Sequence, residues 1–543
     1  MKYLLNGLLV LLILSSCSEQ PAIQEYSAEV DEVFADWDAA SPGASMAIIR
    51  DGQVEYAKGY GMANMEYAIP NVSNTVFRIG STSKQFTAAC IVLLAEQGKL
   101  KLADNLSNYF PEFPDYANDI TVRHLLNHTS GVRDYLTLAY LTGYGDDDFY
   151  TDEDVMKHLV NQQELNFSPG SEFLYSNSGY WLLGQVVKQV SGVSMAVYAD
   201  EHIFKPLAMS NTHFHDNNSM IVVNRASGYR PVKDHYEISM TQLEMIGDGG
   251  IFTTVEDIAK WVDNFTTHKV GSQEFTNTMQ TRGILTSGDT INYALGLNVT
   301  TYKGMDVIRH GGAFVGFRAE LARFPAEGVA VTVLANRSDG QPSKRANQIA
   351  DVIFADILET DEKEVASEKE TETYIPSSEV LNAYVGSYWS DENMEYNNIL
   401  IKNDTLYTGN YKLIPVAEGE FVLEVAPEIK LSFNGDDLTL VVPGRAPQVY
   451  VAYVQTEYDQ AYLTMLSGNY YSEELQVYYK IEMKGEELIL FVNDKEISPL
   501  KSAKGDVFVN DDIGTFEFTR TRDMISGFTL AAGRVKNLKF SKK

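Results

Sequence analysis

The sequence predicts an α+β block, an antiparallel sheet with packed helices, followed by two small all-β modules. Three observations predict it. Hairpin signals stand at both ends of a stretch from about 25 to 358, with helical patterns between them. A charged run from 361 to 373, nearly devoid of apolar residues, then interrupts the chain. Beyond it, Gly386-Ser387-Tyr388-Trp389-Ser390-Asp391-Glu392 is repeated 82 residues later as Gly468-Asn469-Tyr470-Tyr471-Ser472-Glu473-Glu474.

The chain opens on a targeting pattern. Lys2 gives a positive start, Leu8 to Leu14 is unbroken and apolar, and Ser15 and Ser16 follow. This is a secretory signal at 1–17, too short for an ordinary spanning helix. Leu14-Ser15-Ser16-Cys17 is similar to the bacterial lipobox, which makes Cys17 the expected lipidated first residue of the mature protein, tethered by Ser18-Glu19-Gln20-Pro21. The expected location is the bacterial cell envelope, periplasmic or surface-exposed, with the membrane reached through the lipid.

The expected α/β block spans 25–358. Asp51-Gly52 sits between two apolar runs as a two-residue hairpin turn. A helix follows from Ser83 to about Gly98; its unbroken apolar middle, which contains Cys90, marks it as central and buried. Shorter helices are predicted over 121–127, 152–161, 178–191 and 255–265. Pro325-Ala326-Glu327-Gly328 separates the runs 317–324 and 329–334 as a second hairpin, so the sheet draws strands from both ends of the block. An acidic linker is expected at 359–376, and β-modules at 377–456 and 460–543. In the repeat, Tyr396, Ile399 and Leu406 match Tyr478, Ile481 and Leu488 at the same offset.

Charge and composition narrow the partners. With 43 Lys plus Arg against 74 Asp plus Glu, the net charge of −31 repels phosphate backbones, so no nucleic acid partner is expected. The two cysteines are too few for a disulfide framework. His213-Phe214-His215 has a spacing found in metal sites, but no carboxylate or cysteine pattern accompanies it. No metal and no cofactor are expected, and the sequence leaves the oligomeric state open.

Three short motifs carry the chemistry. Ser81-Thr82-Ser83-Lys84 places a hydroxyl and an amine at i and i+3, on one helix face. A serine needs a base within hydrogen-bond reach, and a lysine withdrawn from water gives up its proton more readily. The same spelling recurs at Ser498-Pro499-Leu500-Lys501, where the proline and the β-texture argue against a catalytic helix. Tyr175-Ser176-Asn177 precedes an apolar helix; the phenol could shuttle a proton and Asn177 could hold a substrate amide. His310-Gly311-Gly312 ends a strand-like run, where glycines admit a substrate close to the backbone.

In the order Ser81, Tyr175, His310, these motifs resemble the serine penicillin-recognising hydrolases: class C β-lactamases, DD-peptidases, D-aminopeptidases and related esterases, of the β-lactamase/transpeptidase-like fold. Leu125 to Val132, Phe167-Ser168-Pro169-Gly170 and Gly247 to Thr254 are similar to further stretches of that family. The resemblance covers about 30–358. It implies that Ser81 forms an acyl-enzyme, that Lys84 coupled with Tyr175 takes the serine proton, and that Tyr175 protonates the leaving group. It also implies an oxyanion hole from the amides of Ser81 and Ala313, with Asn177, His310 and Gly312 binding substrate. Many β-lactamases carry Lys where this chain has His310, which is largely neutral at pH 7. The β-modules resemble lipocalin-like barrels appended to some family peptidases, where they border the active site.

Two classes of function stay open: an envelope-anchored serine hydrolase acting on a peptide, amide, ester or β-lactam, and a silent lipoprotein binding a ligand through its β-modules. The complete catalytic set favours the hydrolase.

Overall fold

The computed structural model describes residues 27–145, 148–358, 374–424, 426–442 and 447–543. The signal, Cys17 and most of the acidic linker lie outside these residues.

The two hairpins join into one sheet. Ala44–Arg50 pairs with Gln53–Tyr60 on one side and with Val329–Ala335 on the other. Phe317–Phe324, Met305–Phe314 and Asn298–Tyr302 extend it, giving six strands paired antiparallel throughout. Asp51 and Gly52 both take positive φ, +47° and +75°, the turn that matches strand twist. The helix Lys84–Glu96 is buried from Lys84 to Leu94, which explains its continuous apolar character. Asn177–Ser191 and Val255–Thr267 form where the 3.6-residue periodicity predicts them. The helix Tyr135–Leu141, capped by Asp134, is one that periodicity missed because it is barely two turns long.

Each β-module is a closed eight-stranded barrel, so neither leaves an unpaired edge. Gly386–Ser390 closes the first against Gln448–Tyr453, and Gly468–Ser472 closes the second against Val535–Lys542. The repeat is visible in the register: Gly386 faces Ile399 as Gly468 faces Ile481. The hydroxyl of Tyr388 donates to the Tyr384 carbonyl, and that of Tyr470 to the Leu466 carbonyl. Each module is also led by a short N-capped helix, Ser378–Ala383 and Gln460–Leu466. The second barrel is filled by side chains, with Phe528 stacked on Phe540 at 4.6 Å and Tyr479 and Phe516 against them.

The second barrel packs against the α/β block and shares its hydrophobic core. Tyr479 donates to the Leu141 carbonyl at 2.8 Å, and Asn493 Nδ2 to the Thr142 carbonyl at 2.9 Å. The first barrel meets the second through Trp389, Val507 and Val509. No helix among the described residues is long and apolar enough to cross a membrane.

Candidate active site

Ser81 lies in a tight turn, Gly80–Ser83, that runs directly into the central helix. Two glycines make this turn possible. Gly80 takes φ +50°, and a methyl group there would meet the Ala313 nitrogen at 2.8 Å; a methyl on Gly312 would meet the Ile79 carbonyl oxygen at 1.9 Å. The His310–Ala313 backbone therefore lies against the nucleophile turn, a contact no larger residue at 312 would allow. Thr82 Oγ1 donates to the His310 carbonyl at 3.3 Å, and the Ile251 amide donates to Ser83 Oγ at 3.1 Å. This ties both flanking strands to the serine.

Lys84 is fully buried. Its Nζ lies 2.9 Å from Asn177 Oδ1, 2.5 Å from the Asp248 carbonyl oxygen and 3.2 Å from Ser81 Oγ. The first two partners can only accept, so they take two Nζ hydrogens. The third direction faces a hydroxyl that can donate or accept. That contact puts the amine within hydrogen-bond reach of the Ser81 hydroxyl, the placement a general base requires.

Asn177 is held at the first position of its helix by Asp134. The Asn177 amide donates to Asp134 Oδ2 at 2.7 Å, while Oδ1 accepts from the Leu136 and Thr137 amides at 3.1 and 3.2 Å. One fully buried carboxylate thus caps one helix and anchors the start of another. Asp248 also faces the pocket; burial holds its carboxyl above the usual carboxylate range, and the Tyr135 hydroxyl donates to it at 3.1 Å.

Tyr175 stands over Lys84, whose Nζ is 4.9 Å from the ring centre. Among the described residues its hydroxyl is withdrawn from solvent and has no hydrogen-bond partner, and the contact recorded with Lys84 is through the ring. The ring rests on His128 at 4.1 Å between centres. His128 Nδ1 accepts the Ser176 amide at 3.1 Å, and burial drives its pKa well below the ordinary histidine value. A neutral, apolar support under the phenol is the result.

His310 is buried at the pocket wall. Its Nδ1 faces the Gly311 carbonyl at 2.6 Å and must carry the proton, so Nε2 accepts from the Tyr293 hydroxyl at 2.9 Å. Burial first, and Lys84 second, lower its pKa to about 4. The position that is a permanent cation in many β-lactamases is neutral here.

Ser81, Tyr175, Asn177, His310, Gly312 and Ala313 all line one cavity of about 780 Å³, and the buried Lys84 reaches Ser81 from behind it. Ser498 and Lys501 lie elsewhere, on the strand Lys495–Ser502, paired with Asp512 and Asp511. Sequence reasoning missed Asp134, Tyr293 and Arg534. Only Asp134 left a signal, a capping residue ahead of the run Tyr135-Leu136.

A beta-lactamase family model matches residues 22–355. A penicillin-binding protein of Bacillus subtilis strain 168 is 26% identical over 415 residues, covering 71% of this chain and 89% of that relative. A D-aminopeptidase of Gluconobacter oxydans is 25% identical over 295 residues, 54% of this chain, and only 56% of its own length is spanned. Among solved structures, the octameric penicillin-binding protein homologue from Pyrococcus abyssi superimposes with a TM-score of 0.56 at 23% identity, covering 79% of this chain and 100% of that one. A penicillin-binding protein from Bacillus halodurans gives a TM-score of 0.53 at 27% identity, covering 60% and 98% respectively.

Proposed function

Because the chain belongs to the beta-lactamase family of serine hydrolases, we propose that it cleaves a peptide, amide or ester through an acyl-enzyme on Ser81. The observation that carries this reading is the Lys84 Nζ contact to Ser81 Oγ at 3.2 Å, with both other Nζ directions held by carbonyl oxygens.

The geometry and the family resemblance support the following steps. Ser81 Oγ attacks the substrate carbonyl as its proton passes to Lys84. Charge develops on the carbonyl oxygen, where the amides of Ser81 and Ala313 would receive it; one such donor is worth roughly 10²–10³ in rate. The unpartnered Tyr175 hydroxyl gives its proton to the leaving group, and water then hydrolyses the ester with the same groups in reverse roles. A pocket amide that must meet a peptide group has Asn177 Nδ2 available, because only Asn177 Oδ1 is engaged by Lys84.

D-amino-acid peptides and amides are the favoured substrates, supported by the D-aminopeptidase and penicillin-binding relatives. Neutral His310 weighs against efficient β-lactam turnover. A turnover panel of D- and L-amino-acid amides, D-Ala-D-Ala peptides, p-nitrophenyl esters and nitrocefin tests this; amide or peptide turnover with D preference is expected, and nitrocefin as the best substrate would overturn the preference. The proposal includes a lipid anchor on Cys17 at the bacterial envelope, supported by Leu14-Ser15-Ser16-Cys17. Cys17→Ser should release the protein from the membrane fraction.

A further inference from the structure

Arg534 stands in the turn between the strands Met524–Ala532 and Val535–Lys542 of the second barrel, outside the matched residues 22–355. It nevertheless lines the same cavity as Ser81. Its guanidinium carbon lies 4.8 Å from the centre of the Tyr175 ring. Its carbonyl accepts from Asn166 Nδ2 at 2.9 Å, and the next residue but one, Lys536, donates its amide to Asn166 Oδ1 at 2.7 Å. The turn is therefore pinned to the α/β block by its backbone, and the side chain is not needed for that docking. Nη1 stands 3.5 Å from Asp134 Oδ2, too long for a good hydrogen bond, and the side chain is 42% exposed.

The other basic side chains at or behind the cavity wall are differently engaged. Arg318 donates to the Val315 and Phe317 carbonyls, and Arg78 is buried behind Phe314. Lys84 holds Ser81, Asn177 and Asp248. His310 hydrogen-bonds Tyr293 and Gly311 through both ring nitrogens. Arg534 lines the cavity with a side chain that is 42% exposed, and it sits beside the phenol that faces the leaving group.

We propose that Arg534, supplied by the second barrel, is the anion-recognising residue of this site and, among peptide substrates, favours those with a carboxylate next to the leaving nitrogen. Guanidinium and carboxylate match as a planar two-bond pair, and stacking on Tyr175 holds the fork ready. The pocket is then incomplete without the second barrel. This inference rests on the acyl-enzyme reading above, and its test separates the two.

The experiment measures acylation rates of the full chain by intact mass spectrometry with three probes. Benzylpenicillin carries a carboxylate on the carbon bonded to its leaving nitrogen, its methyl ester does not, and an uncharged fluorophosphonate reports Ser81 alone. Wild type should acylate faster with the acid than with the ester, by at least roughly tenfold. Arg534→Ala and Arg534→Gln should erase that ratio while the fluorophosphonate rate stays within about twofold, and Arg534→Lys should keep part of it. An unchanged ratio in the variants, no preference in wild type, no acylation by either lactam, or equal loss with all three probes would overturn the role of Arg534. Failure of the fluorophosphonate on folded wild type would instead remove the acyl-enzyme reading.

Discussion

Arg133 and Glu474 form a buried ion pair across the seam between the α/β block and the second barrel, Nη1 to Oε2 at 2.6 Å. Arg133 also donates to Gln162 Oε1 and to the carbonyls of Lys536 and Asn537, and Glu474 Oε2 accepts the Gln163 amide. Every donor of this pair is directed at the barrel or at the loop beneath it. Since Asp134 follows directly and holds the Asn177 amide, barrel docking and the Lys84–Asn177 contact share one short segment.

Glu474→Ala leaves Arg133 buried without its counter-charge, which costs about 3–5 kcal/mol. Urea denaturation should show that loss, and acylation of Ser81 should slow with it. The double variant Arg133→Met/Glu474→Leu removes both charges and should recover most of the stability. A Glu474→Ala protein as stable as wild type would show that the pair is not structural.

Tyr175→Phe separates stability from chemistry. The hydroxyl it deletes is buried and unpartnered, so its removal should leave stability unchanged or raise it by about 1 kcal/mol. Turnover should fall by roughly 10²–10⁴ because proton transfer to the leaving group is lost. Thermal melts and single-turnover kinetics on the same preparation read both; a destabilised variant with normal turnover would contradict the assignment.

His310 makes stability pH-dependent in a defined direction. Its folded pKa is about 4, against about 6.5 in the unfolded chain. Above pH about 6.5 both states are neutral and the contribution is complete; as pH falls toward 4, the unfolded chain takes up a proton that the folded protein refuses, and stability drops. His310→Gln should therefore lower the slope of unfolding free energy against pH over that window by up to about 1.4 kcal/mol per pH unit. His128, shifted the same way, keeps a residual slope. Denaturant titrations across the window would refute this if the two slopes coincided.

What could be read from the sequence was what short segments encode by themselves. Asp51-Gly52 and Pro325 to Gly328 carry their own turn chemistry, so both hairpins were legible. Ser81 and Lys84 share a helix face at i and i+3, so their contact needed no tertiary knowledge. The duplication was legible because Tyr388 and Tyr470 recur in equal context, and the structure gives them equal hydrogen bonds. Asp134 was legible only as a helix cap, and Tyr293 and Arg534 not at all, because each acts on a partner distant in sequence: Asp134 on Asn177, Tyr293 on His310, Arg534 on Tyr175. Nothing local in Gly533-Arg534-Val535 says that this turn reaches a catalytic pocket. The sequence also does not say that Lys84 meets Tyr175 through the ring, at 4.9 Å, because that contact is set by how the Tyr175 loop folds over the central helix.

The central claim is that Ser81, activated by Lys84, is the nucleophile. Its most direct measurement is the intact mass of the full chain after reaction with a fluorophosphonate, compared across wild type, Ser81→Ala and Lys84→Ala. One covalent adduct on Ser81 in wild type, none in Ser81→Ala and a strongly slowed reaction in Lys84→Ala is the predicted result. Folded wild type without an adduct, or an adduct that persists in Ser81→Ala, would contradict it.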